Sequence, residues 1–173
     1  MAIKSNQPYS SSRTSAIVSR PSDIIKKKKR YTQEAVMVQA QVYSMGHVPT
    51  DPAILIVEND EETRELYADA LSPVDAVVFE AGNPYEAFEQ LERHAFSLIL
   101  TDLHMPGGGI EFVANLRGAD VLCPIIVITG LAGHSVRDAA MAAGATLFLE
   151  KPIRTKQLRE IVNRFLSSTP TIA

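Results

Sequence analysis

Five short apolar runs recur along the second two-thirds of this chain, each followed by a stretch with helical periodicity. No other feature narrows the fold so far. The runs are Ala53–Val57 (AILIV), 76–81 (AVVFEA), 96–101 (FSLILT), 124–129 (PIIVIT) and 146–150 (TLFLE). Most are apolar at successive positions instead of alternating, which is the pattern of strands covered on both faces. Between them, Glu61–Leu71 places Leu66, Tyr67, Ala70 and Leu71 on one stripe. Pro84 opens a second helix reaching about Arg93. Ile110–Leu116 forms a third, ending near Gly118. His134–Ala143 is a fourth, closed by Gly144, and Thr155–Leu166 a fifth, with Leu158, Ile161, Val162 and Phe165 inward. Five such βα units predict an α/β sandwich around a parallel sheet. With right-handed crossovers the flavodoxin-like order 2-1-3-4-5 suits this count.

The remaining chain is different in character. Of 173 residues, the first 50 hold eight Lys/Arg against two Asp/Glu, a charge of +6. Residues 51–173 hold nine against eighteen, a charge of −9, so the overall −3 conceals a basic arm on an acidic body. Residues 1–22 are rich in Ser, Thr, Asn, Gln and Pro, with little to bury. Lys26–Arg30 is an uninterrupted cation run, and Gly46, Pro49 and Pro52 punctuate the junction. The expected division is a largely flexible basic extension over 1–50, one folded domain over 51–166 and a short tail over 167–173.

Several functional classes drop out at this level. The acidic body is a poor partner for a phosphate backbone, and no helix-turn-helix pattern follows the cation run, so nucleic-acid binding is not expected of the folded domain. No apolar run approaches the ~20 residues of a membrane span. The N-terminus lacks the apolar segment of a signal peptide, and the single cysteine, Cys123, permits no internal disulfide, so a cytoplasmic location is expected. Cys123 reads as a small buried hydrophobe. His47, His94 and His134 show no zinc-ligand spacing with one another or with Cys123.

In an open parallel sheet, binding groups gather beyond the carboxyl ends of the strands. Here the first strand runs into Glu58, Asn59 and Asp60, the third into Asp102, the fourth into Thr129 and the fifth into Glu150, Lys151 and Pro152. Carboxylates, a hydroxyl and an amine on one edge are the side chains phosphoryl transfer requires. A carboxylate serves as nucleophile, while a divalent cation, Lys and Thr offset charge on the transferred oxygens. Any one of these residues alone would be an ordinary polar strand terminus. The set is what carries the reading.

From Ala53 to about Leu166, the ordered landmarks LIVEND, LILTDLHMP, IIVITG and FLEKP resemble the receiver domain of bacterial two-component response regulators, close in layout to the chemotaxis response regulator. The resemblance implies Asp102 as phosphoacceptor, with Thr129 and Lys151 assisting it. It implies Glu58, Asn59, Asp102 and the His104 backbone carbonyl as the magnesium corner. Thr129 and Phe148 match the switch pair, and Pro152 matches the proline that commonly follows a cis bond. Implied partners are a sensor histidine kinase or phosphotransfer protein and a downstream protein effector. A homodimer through the fourth helix, fifth strand and fifth helix would use the same signalling face. The implied activity is autocatalytic phosphoryl acceptance and self-dephosphorylation, not turnover of an external substrate.

Two departures qualify the match. Asn59 puts an uncharged amide where the family has its principal metal-binding carboxylate. The segment MPGGGIEF is one residue shorter than the usual MPxMDGxEF, and its three glycines widen the backbone's options beside Asp102. Asp60–Glu62 reads as the acidic first turn of the first helix, favoured by its dipole. The alternative to a working phosphoacceptor is a phosphorylation-independent pseudo-receiver with a degraded metal site. A phosphatase using Asp102 as nucleophile would need a second acid and a cap, and neither is evident.

Overall fold

Val, Ile and Leu side chains on both faces of a strand have to be covered from two sides, and this requirement shapes the domain. The computed structural model describes residues 51–167; the basic extension over 1–50 and the tail from 168 onward lie outside them. Five strands, β1 (Ala53–Val57), β2 (Val77–Ala81), β3 (Leu98–Thr101), β4 (Ile125–Thr129) and β5 (Leu147–Glu150), form one parallel sheet in the order β2-β1-β3-β4-β5. The helices are α1 (Glu61–Leu71), α2 (Pro84–Arg93), α3 (Ile110–Gly118), α4 (His134–Ala142) and α5 (Thr155–Ser167). The expected 2-1-3-4-5 α/β sandwich is therefore the fold.

Two cores flank the sheet. Tyr67, Ala70 and Leu71 of α1 and Leu158 and Val162 of α5 cover Ile54, Ile56, Leu98, Leu100, Ile126 and Ile128. On the other face Ala87 of α2, Phe112, Val113 and Leu116 of α3, and Ala140 of α4 cover Leu55, Val57, Ile99, Ile125 and Val127. The three inner strands are buried at every position. At the edges, β2 and β5 leave some residues open, because each has one neighbour in the sheet and less helix over it.

Leu66 departs from the expected stripe on α1. It is 51% exposed, while Tyr67, Ala70 and Leu71 face inward. Successive helical residues are about 100° apart, so a stripe centred on 67, 70 and 71 leaves 66 at its margin. Cys123 packs against the second core, as expected, and burial pushes its thiol up to about 12, which removes it as a nucleophile at neutral pH.

Local chemistry starts two helices at the edge where the strands end. Asp60 caps α1, its side chain accepting from the Thr63 N–H at 2.8 Å. Asn83 caps α2 by accepting from the Glu86 N–H at 3.0 Å, and Pro84 stands in the first turn. At the opposite edge Arg117 acts as a clasp. It donates to the carbonyls of Gly144, Val121 and Cys123, tying α3 to the strands beyond it.

Candidate functional site

Parallel register brings the ends of β1 and β3 side by side, Val57 opposite Thr101, and so places Glu58 next to Asp102. Both carboxylates have little contact with solvent. Glu58 is 2% exposed and Asp102 6%. Two adjacent buried carboxylates repel each other unless a cation lies between them. Lys151, arriving from the end of β5, meets that need. Its Nζ lies 2.7 Å from Glu58 Oε2 and 2.7 Å from Asp102 Oδ2.

The remaining carboxylate oxygens are held by backbone. The His104 N–H donates to Asp102 Oδ1 at 2.8 Å, and the Asp60 N–H to Glu58 Oε1 at 3.1 Å. Arg64 steadies the loop from behind, donating to the Glu58 carbonyl at 2.8 Å and pairing with Glu80 at 3.3 Å. Above these groups opens a crevice of about 550 Å³ lined by Glu58, Asn59, Asp60, Asp102, His104 and Lys151, with Leu103, Met105 and Pro106.

The other residues singled out in the sequence fall around this centre. Thr129 is fully buried at the end of β4, and its hydroxyl accepts from the Leu131 N–H at 3.2 Å. Phe148 is buried among the residues on the α3–α4 side of the sheet, whereas Leu147 and Leu149 pack on the α1–α5 side, the alternation expected of a strand. The Lys151–Pro152 peptide bond is cis. Asn59 and the His104 side chain are exposed at the rim. Asp60 is engaged in capping α1, and its hydrogen bonds from Thr63 hold its carboxyl below the ordinary value. The short loop after Asp102 uses positive φ at Gly107 and Gly109 (73° and 78°), conformations that side chains resist.

Arg64 and Tyr67 were missed in the sequence as neighbours of the site. An arginine six residues after Glu58 is one helical turn into α1, which offers a local signal. Tyr67 offers only its place on the inner stripe of a helix whose N-terminus abuts the acidic corner.

Burial opposes the charge on Asp102, but the His104 N–H, the Lys151 bond and a smaller contribution from Thr129 outweigh it and hold the carboxyl below 3.8. Burial likewise opposes the charge on Lys151, yet its bonds to Asp102 and Glu58 hold the ammonium above 10.5. A depressed carboxylate stabilises the fold above its unfolded pKa and loses that contribution as pH falls through its folded value. A raised ammonium stabilises below its unfolded pKa and loses that contribution as pH rises through its folded value. Stability is therefore expected to be level between about pH 5 and pH 9 and to decline on both sides. Melting temperatures across this range check it, and in Asp102→Asn the acid-side decline should be smaller. An equally steep acid limb in that variant would remove Asp102 from the account.

The comparisons with known proteins bear on this geometry directly. The model of the response regulator receiver domain matches residues 54–163, most of the described chain. The chain belongs to the response regulator receiver family. The receiver is 35% identical over 109 residues to the response regulator protein PilR of Pseudomonas aeruginosa, covering 62% of this chain and 24% of that protein. It is 33% identical over 111 residues to the response regulator receiver protein CpdR of Brucella abortus, covering 64% of this chain and 90% of that one. Among solved structures, the chemotaxis response regulator CheY4 of Vibrio cholerae superposes with a TM-score of 0.61 at 26% identity, over 67% of this chain and 99% of that chain. The chain thus spans about a quarter of PilR and nearly all of CpdR. Receiver domains of this family serve two-component signalling, and among the described residues no helix is long and apolar enough to cross a membrane.

Proposed function

We propose that this receiver accepts a phosphoryl group on Asp102 from a phosphohistidine of a sensor kinase or phosphotransfer protein, and passes the signal on through protein contacts. The observation that carries the reading is the pair of 2.7 Å bonds from Lys151 to Asp102 and Glu58 at the mouth of an open crevice. Asp102 keeps its charge at neutral pH and is therefore a competent nucleophile. In the transfer a carboxylate oxygen of Asp102 forms a bond to phosphorus while the phosphorus–nitrogen bond of the donor breaks. The imidazole leaves with that electron pair, and the product is an acyl phosphate. Of the two Asp102 oxygens, Oδ1 is held by the loop N–H of His104 and Oδ2 by a side chain on a flexible stem. Oδ2 is the cheaper one to release. As it attacks, Lys151 follows the negative charge onto the phosphoryl oxygens.

Receiver domains generally bind magnesium, and the donors present suit it. Glu58 and Asp102 are hard carboxylate ligands, the Asn59 amide is exposed beside them, and the crevice has room for the waters that magnesium retains. Glu58, Asn59, Asp102 and the His104 carbonyl would hold the ion. When bound it would supply positive charge against the oxygens of the transferred group. Because the amide brings no charge, Asn59→Asp is expected to tighten magnesium binding about tenfold, a gain of ~1.4 kcal/mol. Titration of both forms at one ionic strength measures it, and equal affinities would take Asn59 out of the metal corner.

The signalling step we envisage uses two buried residues. Thr129, at the end of β4, is hydrogen-bonded to Asp102, and Phe148 is buried on β5, one element of the face made by α4, β5 and α5. A phosphoryl group that engages Thr129 shifts the population of that face, where an effector or a second copy of the receiver would dock. Residues 51–166 act as the receiver and 1–50 as a basic extension, in a cytoplasmic protein. The pseudo-receiver is the second reading, favoured by the uncharged Asn59 in the acidic corner. Intact mass after incubation with acetyl phosphate and magnesium separates them: a phosphate-sized gain supports the phosphoacceptor. No gain from small donors or from a phosphohistidine protein leaves the pseudo-receiver.

A further inference from the structure

Arg64 is a charged side chain beside the acidic corner that the phosphoryl chemistry does not use. Its side chain is 17% exposed, and the guanidinium meets two groups at once. Nη1 donates to the Glu58 carbonyl at 2.8 Å, and Nε pairs with Glu80 Oε2 at 3.3 Å. Glu80 belongs to β2, a strand that sends no side chain into the open crevice. The Glu58 N–H in turn donates to the Ala81 carbonyl at 3.0 Å, at the end of the same strand. Both polar groups of the Glu58 backbone are thus referred to β2, one directly and one through the arginine's rigid plane.

The consequence falls on the next residue. The Glu58 carbonyl and the Asn59 nitrogen share one planar peptide unit, so holding the carbonyl fixes the plane from which Asn59 departs. The following peptide is held as well: the Asp60 N–H donates to Glu58 Oε1 at 3.1 Å, and Asp60 caps α1. Asn59, exposed and lining the crevice, keeps little freedom beyond its own side-chain torsions. An amide needs such support more than a carboxylate does. A full charge attracts a cation from any direction, whereas an amide dipole attracts it only when its oxygen is aimed. Coulomb repulsion between Arg64 and a divalent cation runs the other way, so the two effects differ in sign.

We propose that Arg64 is a positioning residue for magnesium, holding the Glu58–Asn59 peptide so that the uncharged Asn59 oxygen is aimed into the crevice. The inference rests on the phosphoacceptor reading with its metal corner, and adds to it a residue that acts through Asn59. Removing the guanidinium should therefore weaken magnesium binding even though it takes a positive charge away from the neighbourhood of the ion.

The test is a magnesium titration of the full isotope-labelled chain at constant ionic strength, in the native protein, Arg64→Met, Asn59→Ala and the double variant. Amide chemical shifts, the Asn59 side chain among them, report the binding. Arg64→Met should bind magnesium about fivefold more weakly, with the Asn59 side-chain amide shifting less at saturation. In the Asn59→Ala background the same change should weaken binding by less than about twofold, because the ligand it positions is already gone. Equal or tighter binding by Arg64→Met would overturn the proposal, since charge alone would then describe the arginine. So would an equal loss in both backgrounds, the signature of a general disturbance of the loop. Arg64→Lys keeps the charge but ends short of the place of Nη1, and it decides the matter if Arg64→Met does not fold. Its binding should be about threefold weaker than native, and native affinity would overturn the proposal. A native chain that binds magnesium but takes no phosphate from acetyl phosphate would overturn the phosphoacceptor reading alone. One that binds no magnesium would overturn the metal corner and this proposal together.

Discussion

Asp102→Asn is expected to abolish phosphate uptake altogether. The amide removes the attacking oxygen's charge while preserving the shape of the side chain and a carbonyl able to accept from the His104 N–H. Among the described residues Glu58 is the only other carboxylate bonded to Lys151, and its Oε1 is tied to the Asp60 N–H within the loop that begins α1. It lies deeper than Asp102, at 2% exposure, and Lys151 covers its second oxygen. A substitute nucleophile is therefore not at hand. The fold should survive, since Lys151 retains Glu58 as partner. Intact mass with acetyl phosphate and magnesium checks the result: the phosphate-sized gain of the native chain should disappear in Asp102→Asn while its far-ultraviolet circular dichroism is unchanged. A gain that persists in the variant would place the nucleophile elsewhere.

Lys151→Met is expected to produce the largest loss of stability, together with an unusual dependence on divalent cations. Methionine keeps most of the apolar stem but leaves Glu58 and Asp102 facing each other without a counter-charge. Removing one member of a fully buried ionic cluster costs ~3–5 kcal/mol. The Lys151 side chain is 23% exposed and opens onto the crevice, so water offsets part of this. A loss of about 2–3 kcal/mol is expected, or roughly 10 °C in melting temperature for a domain of this size. In the native chain a magnesium ion would compete with an ammonium already seated between the carboxylates; in the variant that position would be free. Millimolar magnesium should therefore raise the melting temperature of Lys151→Met more than that of the native protein. Thermal melts in chelator and in magnesium measure both effects. Equal melting temperatures in chelator would show that the bridge contributes nothing to folding, and an equal response to magnesium would place the ion away from these two carboxylates.

Both expectations depend on residues that are far apart in the chain. Glu58, Asp102 and Lys151 were legible as candidates because each follows an apolar run, and strand ends of a parallel sheet share one edge. The sequence order of the landmarks then implied roles for them by family resemblance. Their bonding was not legible in this way. Whether Lys151 would meet one carboxylate, both or neither depends on the register of β1 against β3 and of β4 against β5, which no local pattern encodes. The same holds for Tyr67. Its stripe position predicts burial, but only the packing of α1 on the sheet brings it to the narrow cleft it lines with Glu58 and Asp102.

The amino-acid sequence by itself determined the number, kind and order of the elements, because hydrophobic period, caps and glycine punctuation are local properties of neighbouring residues. Apolar strands flanked by amphipathic helices leave a parallel sheet with helices on both faces as the arrangement that covers them. Tertiary structure decided everything that depends on distance across the sheet. It turned Leu66 outward at the margin of its stripe, committed Asp60 to capping α1, and seated the Phe148 ring inside. It also closed the ion cluster of Glu58, Asp102 and Lys151. These outcomes are set by burial and electrostatics between segments tens of residues apart: a buried carboxylate must find a cation or a donor, and only the folded chain determines which one is within reach.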